Sequence, residues 1–165
     1  MTHEDREMLE TGYHHIGPVL RSALPLLKDM PRVPVCAACP AAQWYKFGDN
    51  LLECHCTEFR SVMYERGSKV VIDCDARRYL ISGKPPHPDP DVTRPAVLDA
   101  PAAQRKVAEQ SLCESCPASR WYRFADETLG SYCTQYRGRM FGAGRDEVKA
   151  CDAREDEIAR IGSDD

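Results

Sequence analysis

Eight of the nine cysteines fall into two sets of four with the same intervals: Cys36, Cys39, Cys56 and Cys74, then Cys113, Cys116, Cys133 and Cys151. In each set a C-x-x-C pair is followed 17 residues on by a third cysteine and 18 beyond that by a fourth. A C-x-x-C pair supplies two thiolates from one turn, and zinc takes four such soft ligands in a tetrahedron. The spacing therefore predicts two Zn²⁺ per chain, one in each set. Iron–sulfur clusters also use four thiolates and often sit beside Cys-Pro, which occurs here at Cys39 and Cys116, so they are the alternative cofactor. With four thiolates on one ion no position stays open for a water, so hydrolytic chemistry is not expected. No nucleophile–base triad, paired-carboxylate site, G-x-G-x-x-G or P-loop stands out, and the chain is read as a non-enzyme.

The cysteines belong to a longer repeat. Laid over each other at an offset of 77, residues 36–77 and 113–154 align without a gap, and 19 of the 42 positions are identical. The odd cysteine, Cys54, aligns with Ser131 and is read as a half-buried strand residue. His55 aligns with Tyr132, so no histidine is shared as a ligand. The sequence identifies no partners for His3, His14, His15 and His87. On the cysteine spacing alone, the chain resembles tandem four-cysteine zinc-finger proteins across both copies.

Two further groups repeat. Arg60 and Arg137 follow the third cysteine in C-T-x-x-R, and Arg77 and Arg154 follow the fourth in C-D-A-R. Four thiolates around one divalent ion leave a net charge of −2, so nearby arginines suit neutralisation or a salt bridge to Asp75 and Asp152; phosphate contact is the sharper alternative. Trp44, Tyr45 and Phe47 match Trp121, Tyr122 and Phe124. These rings suit a small core, or a platform on which bases stack. A hairpin offers two faces, so one ring of each Trp-Tyr pair is expected to point outward. The candidate surface for nucleic acid or another partner is therefore Trp44, Lys46, Arg60, Arg66 and Lys69 in the first copy, and Arg120, Trp121, Arg123, Arg137, Arg139 and Arg145 in the second.

Positioning these residues needs small elements. A module of roughly 45 residues sits near the size at which burial alone rarely holds a fold, so a metal clip is expected. The expected architecture is α+β: tandem duplicated zinc-finger-like modules, each a knuckle, a β-hairpin and a helix, behind a helical N-terminal segment. The divisions are a helical segment at 1–35, the first four-cysteine module at 36–82, a proline-rich connector at 83–101, the second module at 102–161, and an acidic tail at 162–165. Residues 1–12 read as charged and frayed. Val19, Leu20, Ala23, Leu24 and Leu27 have helical spacing behind Pro18, with Pro25 expected to kink or split the helix. W-Y-K-F, G-D-N and L-L-E-C-H-C read as a hairpin ending at the third cysteine. Thr57 reads as the N-cap of a short helix carrying Phe59, Val62 and Met63, closed by Gly67, as by Gly144 in the second copy. The stretches around the fourth cysteines read as helices with that cysteine on the inner face, including a stripe of Val148, Cys151, Ile158 and Ile161. A short helix is expected over 102–112.

Composition limits the partners. The formal charge is −4, and the copies are close to neutral, with six bases and six acids over 36–78 and seven bases and six acids over 113–154. This is not the basic footprint of a dedicated nucleic-acid binder. Repeated rings and arginines nonetheless favour a nucleic-acid-associated regulator or a small subunit of a nucleoprotein complex. A protein–protein interaction adaptor is the alternative, and an iron–sulfur or redox-sensing protein is the weaker one. No stretch reaches the ~18 apolar residues of a membrane span, so no membrane partner is expected. The acidic N-terminus has no apolar centre and does not read as a secretory signal, so a reducing, cytoplasmic setting is expected, where thiols bind metal more often than they pair.

Overall fold

The structure, a computed structural model, describes residues 1–27, 30–48, 51–83, 95–99, 111–142, 144 and 147–162. Most of the proline-rich connector, most of the helix expected over 102–112, Arg145 and the end of the acidic tail lie outside them. The chain is α+β, with four helices and two antiparallel sheets among the described residues. It divides into two compact units, Met1–Asp73 with Phe124–Asp126, and Cys74–Arg123 with Glu127–Asp165. No helix among the described residues is long and apolar enough to cross a membrane.

The first unit opens with α1 (His3–Thr11), so the N-terminus is helical rather than frayed. Its start is a capping box: the Asp5 amide donates to Thr2 Oγ1 at 3.1 Å, and the Thr2 amide donates to Asp5 Oδ2 at 2.9 Å. Asp5 is buried and faces the Arg32 guanidinium at 3.5 Å. Met8 and Leu9 turn inward onto the core. Burial raises the Asp5 carboxyl, but the Thr2 amide and hydroxyl and the Arg32 charge outweigh it, so the net shift is downward. A depressed carboxyl adds stability above its unfolded value of 3.8, and that stability goes as pH falls through the folded value. Thr2→Ala is expected to cost about 1 kcal/mol in urea unfolding at pH 7. The cost should shrink below pH 4; an acid-independent cost would remove the coupling to Asp5.

After a 3₁₀ turn at Tyr13–His15, α2 (Pro18–Leu27) buries Leu20, Ala23 and Leu27. Pro25 neither splits nor ends it. The proline sits in the last turn on the exposed side, where it removes one backbone bond near the end of the ladder. These side chains join Ile16, Val33, Ala37 and Leu52 in one core, with Trp44 packed against it.

A 3₁₀ turn at Val35–Ala38 holds the first C-x-x-C. Strands β1 (Ala42–Lys46), β2 (Leu52–Cys56) and β3 (Ser61–Tyr64) pair antiparallel in that order. Along β2 burial alternates strictly, as L-E-C-H-C predicts. Cys54 is a strand residue but fully buried, with Trp44 opposite it. The helix expected after Thr57 is replaced by a turn and β3. Thr57 caps nothing; its amide and hydroxyl both donate to the Ala41 carbonyl, at 2.9 and 3.2 Å. Arg60 then takes a left-handed φ of 47°, which a helix does not admit. Beyond it Met63 faces in and Val62 out, the two-residue period of a strand. Gly67, with φ 85°, turns the chain between Glu65 and Ser68 rather than closing a helix.

The V-V-I-D-C stretch forms β4 (Val71–Cys74), not a helix, because β-branched residues favour the pleated backbone. The second unit then begins at Cys74, at the N-cap of α3 (Asp75–Ser82). A 3₁₀ turn at Ala96–Asp99 places Val97 and Leu98 in the second core, and the Val97 amide donates to buried Asp75 at 3.4 Å. Strands β5 (Ser119–Phe124), β6 (Leu129–Cys133) and β7 (Gly138–Phe141) are successive antiparallel neighbours. Helix α4 (Asp152–Gly162) starts only after Cys151. Val148 therefore lies outside the expected helical stripe; its carbonyl accepts from the Leu112 amide at 2.9 Å, and its amide donates to Ser111 Oγ at 3.3 Å.

The strand registers repeat at the offset of 77. Ala42 faces Cys56 and Ser119 faces Cys133; Trp44 faces Cys54 and Trp121 faces Ser131. Both middle strands shift register at the same place, between Cys54 and His55 and between Ser131 and Tyr132. Arg137 repeats the left-handed φ of Arg60, at 53°. The copies differ on one face. Tyr45 bonds Glu53 through its hydroxyl at 2.8 Å and stays half-buried. Its counterpart Tyr122 is buried, because Gly130 stands where Glu53 would: a Cβ on Gly130 would come within 2.6 Å of the ring. The expectation that one ring of each pair points outward thus fails in the second copy, where Trp121 and Tyr122 are both interior.

Candidate metal centre

In the second unit, backbone bonds bring the four cysteines of the second set toward one another. The Cys116 amide approaches the Cys113 carbonyl at 3.5 Å, closing the C-x-x-C turn. The Ser119 amide donates to the Cys116 carbonyl at 2.9 Å, and Ser119 is the strand partner of Cys133. The Trp121 indole donates to the Cys113 carbonyl at 3.0 Å. The Leu112–Val148 bond draws the stretch before Cys113 to the stretch before Cys151. From the first turn of α4, Arg154 reaches Ser115 Oγ, inside the C-x-x-C turn, at 3.3 Å.

The first set repeats three of these contacts within the first unit. The Cys39 amide donates to the Cys36 carbonyl at 3.3 Å, the Ala42 amide to the Cys39 carbonyl at 3.1 Å, and the Trp44 indole to the Cys36 carbonyl at 3.2 Å. Cys36, Cys39 and Cys56 are all buried. The fourth member, Cys74, is buried at the start of the second unit.

Backbone N–H groups point at the sulfurs. The Tyr136 amide lies 3.5 Å from Cys133 Sγ, and its counterpart Phe59 donates to the Cys56 sulfur together with Glu58. Beside them, Ser111 Oγ accepts from the Cys113 amide at 3.3 Å. Such donors favour thiolates; burial opposes them. Burial foremost, with the neighbouring sulfurs adding repulsion, pushes the thiols of Cys56 and Cys113 up, and Cys116 up to about 11. A cluster of buried thiols that resists ionisation alone, yet carries donors for the ionised form, suits a thiophilic cation that supplies the missing positive charge. None of the nine cysteines is in a disulfide. Among the described residues, no group of three or more His, Cys, Asp or Glu is already arranged to hold an ion. Cys113, Cys116, Cys133 and Cys151, all in the second unit, are the residues that could hold one ion; Cys36, Cys39 and Cys56 are the candidates of the first unit.

The raised Cys116 thiol gives a signed prediction. For a group whose folded value lies above its unfolded value, stability is complete below the latter and is lost as pH rises through the former. Going up from neutral pH, the metal-free chain should keep its urea midpoint to pH 9.0 and lose stability between there and about 11. The metal-bound chain should do the reverse, losing its ion on acidification as protons compete for the sulfurs. Urea midpoints across pH, with and without chelator, check both; two superimposable profiles would remove the metal.

Five of the eleven residues of the proposed partner surface make contacts within the protein. Trp121 is wholly buried against Phe141, with ring centroids 5.0 Å apart, and Trp44 packs on the first core. Arg120 donates to the carbonyls of Pro117 and Ser119, at 2.7 and 2.9 Å, and lies over the Tyr79 ring. Arg123 holds both carboxylate oxygens of Glu127, at 2.9 and 2.8 Å. Lys69 pairs with Asp126 at 2.7 Å. Lys46, Arg60, Arg66, Arg137 and Arg139 are exposed. Arg154 bonds Glu155 and Ser115 rather than Asp152. Ser111, Ser115, Ser131 and Tyr136, which surround the second set of sulfurs, have no counterparts of the same type in the first copy, so the repeat did not mark them. A scan against protein-family models, a search of curated proteins and a search of solved structures each found no match.

Proposed function

We propose that this chain is a non-catalytic protein made of two duplicated, zinc-finger-like modules, each clipped by one Zn²⁺, that serves as an adaptor for another protein. The observation that carries the metal reading is the sulfur cradle built twice at one offset: C-x-x-C turn, indole on the first carbonyl, and an amide aimed at the third sulfur. With closed four-thiolate sites the ions are structural, and function falls to the surface. The adaptor reading is supported by the outer side of the first sheet, where Phe47 and Val62 are exposed and the ring centroids of Tyr45 and Phe47 are 5.6 Å apart. The shared tryptophans are spent on the cores.

Association with nucleic acid is the second reading. It is favoured by Arg60 and Arg137, exposed at matching corners of the two copies. Elemental analysis of the native protein tests the metal: two zinc ions per chain are expected, and a visible absorbance with iron would replace zinc by clusters. Protein capture that survives nuclease and is lost in Phe47→Asp supports the adaptor. Gel-shift affinity that falls steeply with salt and is lost on changing Arg60 and Arg137 to Ala would transfer the function to nucleic acid.

A further inference from the structure

Residues 69–70 and 124–126 lie in one compact unit, the first, and bond each other there. The Ala125 amide donates to the Val70 carbonyl at 2.7 Å. The Lys69 ammonium pairs with Asp126 at 2.7 Å and stands over the Phe124 ring, 5.6 Å from its centroid. The tripeptide F-A-D thus holds a lysine and the residue after it with one ring, one amide and one carboxylate. At the offset of 77 the same tripeptide is F-G-D in the first copy, starting at Phe47. Lys69 and Val70 become Asp146 and Glu147, so the repeat puts acids where a cation would be needed. Phe47 and Gly48 are exposed, and nothing lies within 4 Å of a Cβ built on Gly48. The edge of β1 that leads into them is open as well. The Thr57–Ala41 and Phe47–Leu51 bonds bracket an unbroken register, so odd-numbered residues of β1 turn their main chain to β2, and Trp44, Lys46 and Gly48 turn theirs away. Among the described residues, these three amides have no backbone partner.

We propose that Phe47, Gly48 and the outer edge of β1 dock an extended segment of a partner protein, one that carries a lysine followed by an apolar, β-branched residue. The segment adds to β1 as a further strand. Its main chain bonds the free amides and supplies affinity, and its lysine on the Phe47 ring supplies selectivity. The occupant follows from the molecule's own use of the same tripeptide, in which Lys69 and Val70 are the residues held. It follows also from charge: an aspartate comes next after Phe47 and Gly48, as Asp126 comes after Phe124 and Ala125, and a lysine complements both ring and acid. Lys46 on this edge works against the pairing of two such edges from two copies of the chain. This rests on the adaptor reading and gives its partner a chemistry.

The probe is the blocked, fluorescein-labelled peptide S-K-V-V-I, the sequence of residues 68–72, titrated into the full chain and followed by anisotropy. Saturable binding is expected, weakened a few-fold when norleucine replaces the lysine and lost when glutamate does. Gly48→Ala keeps the amide and meets open space, so it should still bind; Gly48→Pro deletes the amide and should not. Phe47→Leu keeps an apolar side chain without the ring face and should match the norleucine loss, and the two losses should not add. That variant decides the matter even where Gly48→Pro fails to fold. No saturable binding up to millimolar peptide, equal affinity for the lysine and norleucine peptides, or affinity indifferent to Phe47→Leu would overturn the inference. Phe47-dependent protein capture would then still carry the adaptor reading, and its absence as well would remove both. Self-association of the chain that is lost in Phe47→Leu would give the place to a second copy and overturn the separate partner.

Discussion

Cys116→Ser is expected to remove one of two metal ions per chain and to unfold the second unit. The size of the effect follows from where a small module gets its stability. Structural zinc binding contributes roughly 10–16 kcal/mol, while a whole domain is stable by only about 5–15 kcal/mol. The second core is a modest cluster of Val97, Leu98, Cys113, Trp121, Leu129 and Phe141. A hydroxyl in place of the Cys116 sulfur keeps the shape and removes the ligand. Cys54→Ser is the matched control: Cys54 is as deeply buried, but its thiol reaches only toward the His55 carbonyl at 3.8 Å. It should lose a little stability and keep both ions. Metal per chain and circular dichroism on the two variants decide the matter, and equal metal content in both would end the case for a four-thiolate site.

Trp121→Ala comes second, with an expected loss of about 3–5 kcal/mol for a fully buried aromatic. Two terms add. The ring leaves a cavity beside Phe141, and the Cys113 carbonyl loses its indole donor at 3.0 Å. Trp121→Phe keeps most of the ring and loses the indole donor, so it should cost less than Trp121→Ala, with about 1 kcal/mol of that cost from the lost hydrogen bond. Trp44→Ala should cost less than Trp121→Ala, because Trp44 is only partly buried. Denaturant midpoints separate a core role from a stacking role. A stacking platform would lose ligand and keep its midpoint.

These expectations show which parts of the structure the residues disclosed in advance. The hairpins were legible because their cue is local: an aromatic run, a turn, then L-E-C-H-C alternating in and out. The third cysteine closes β2 as its spacing implied. The stretch after Thr57 misled because Phe59, Val62 and Met63 fit a helical stripe as well as a strand. What decides it is Arg60 in the left-handed region, a backbone state the side chain does not announce. Val71–Cys74 misled for a different reason: its counterpart around Val148 is rich in helix formers, and the β-branched run was read in that light. The fate of the rings was not local either. Whether a tyrosine beside tryptophan is buried depends on the cross-strand residue, and only the contrast of Glu53 with Gly130 explains why Tyr45 and Tyr122 part company. Near the sulfurs, Ser111 and Tyr136 stayed hidden because their partners lie far along the chain or differ between copies.

Arg60 and Arg137 bend the backbone where glycine would do so with less strain, at φ values of 47° and 53°. Both side chains are exposed at these corners. Glycine there would relieve the backbone strain and remove the guanidinium, so a gain in stability would come with the loss of a surface charge.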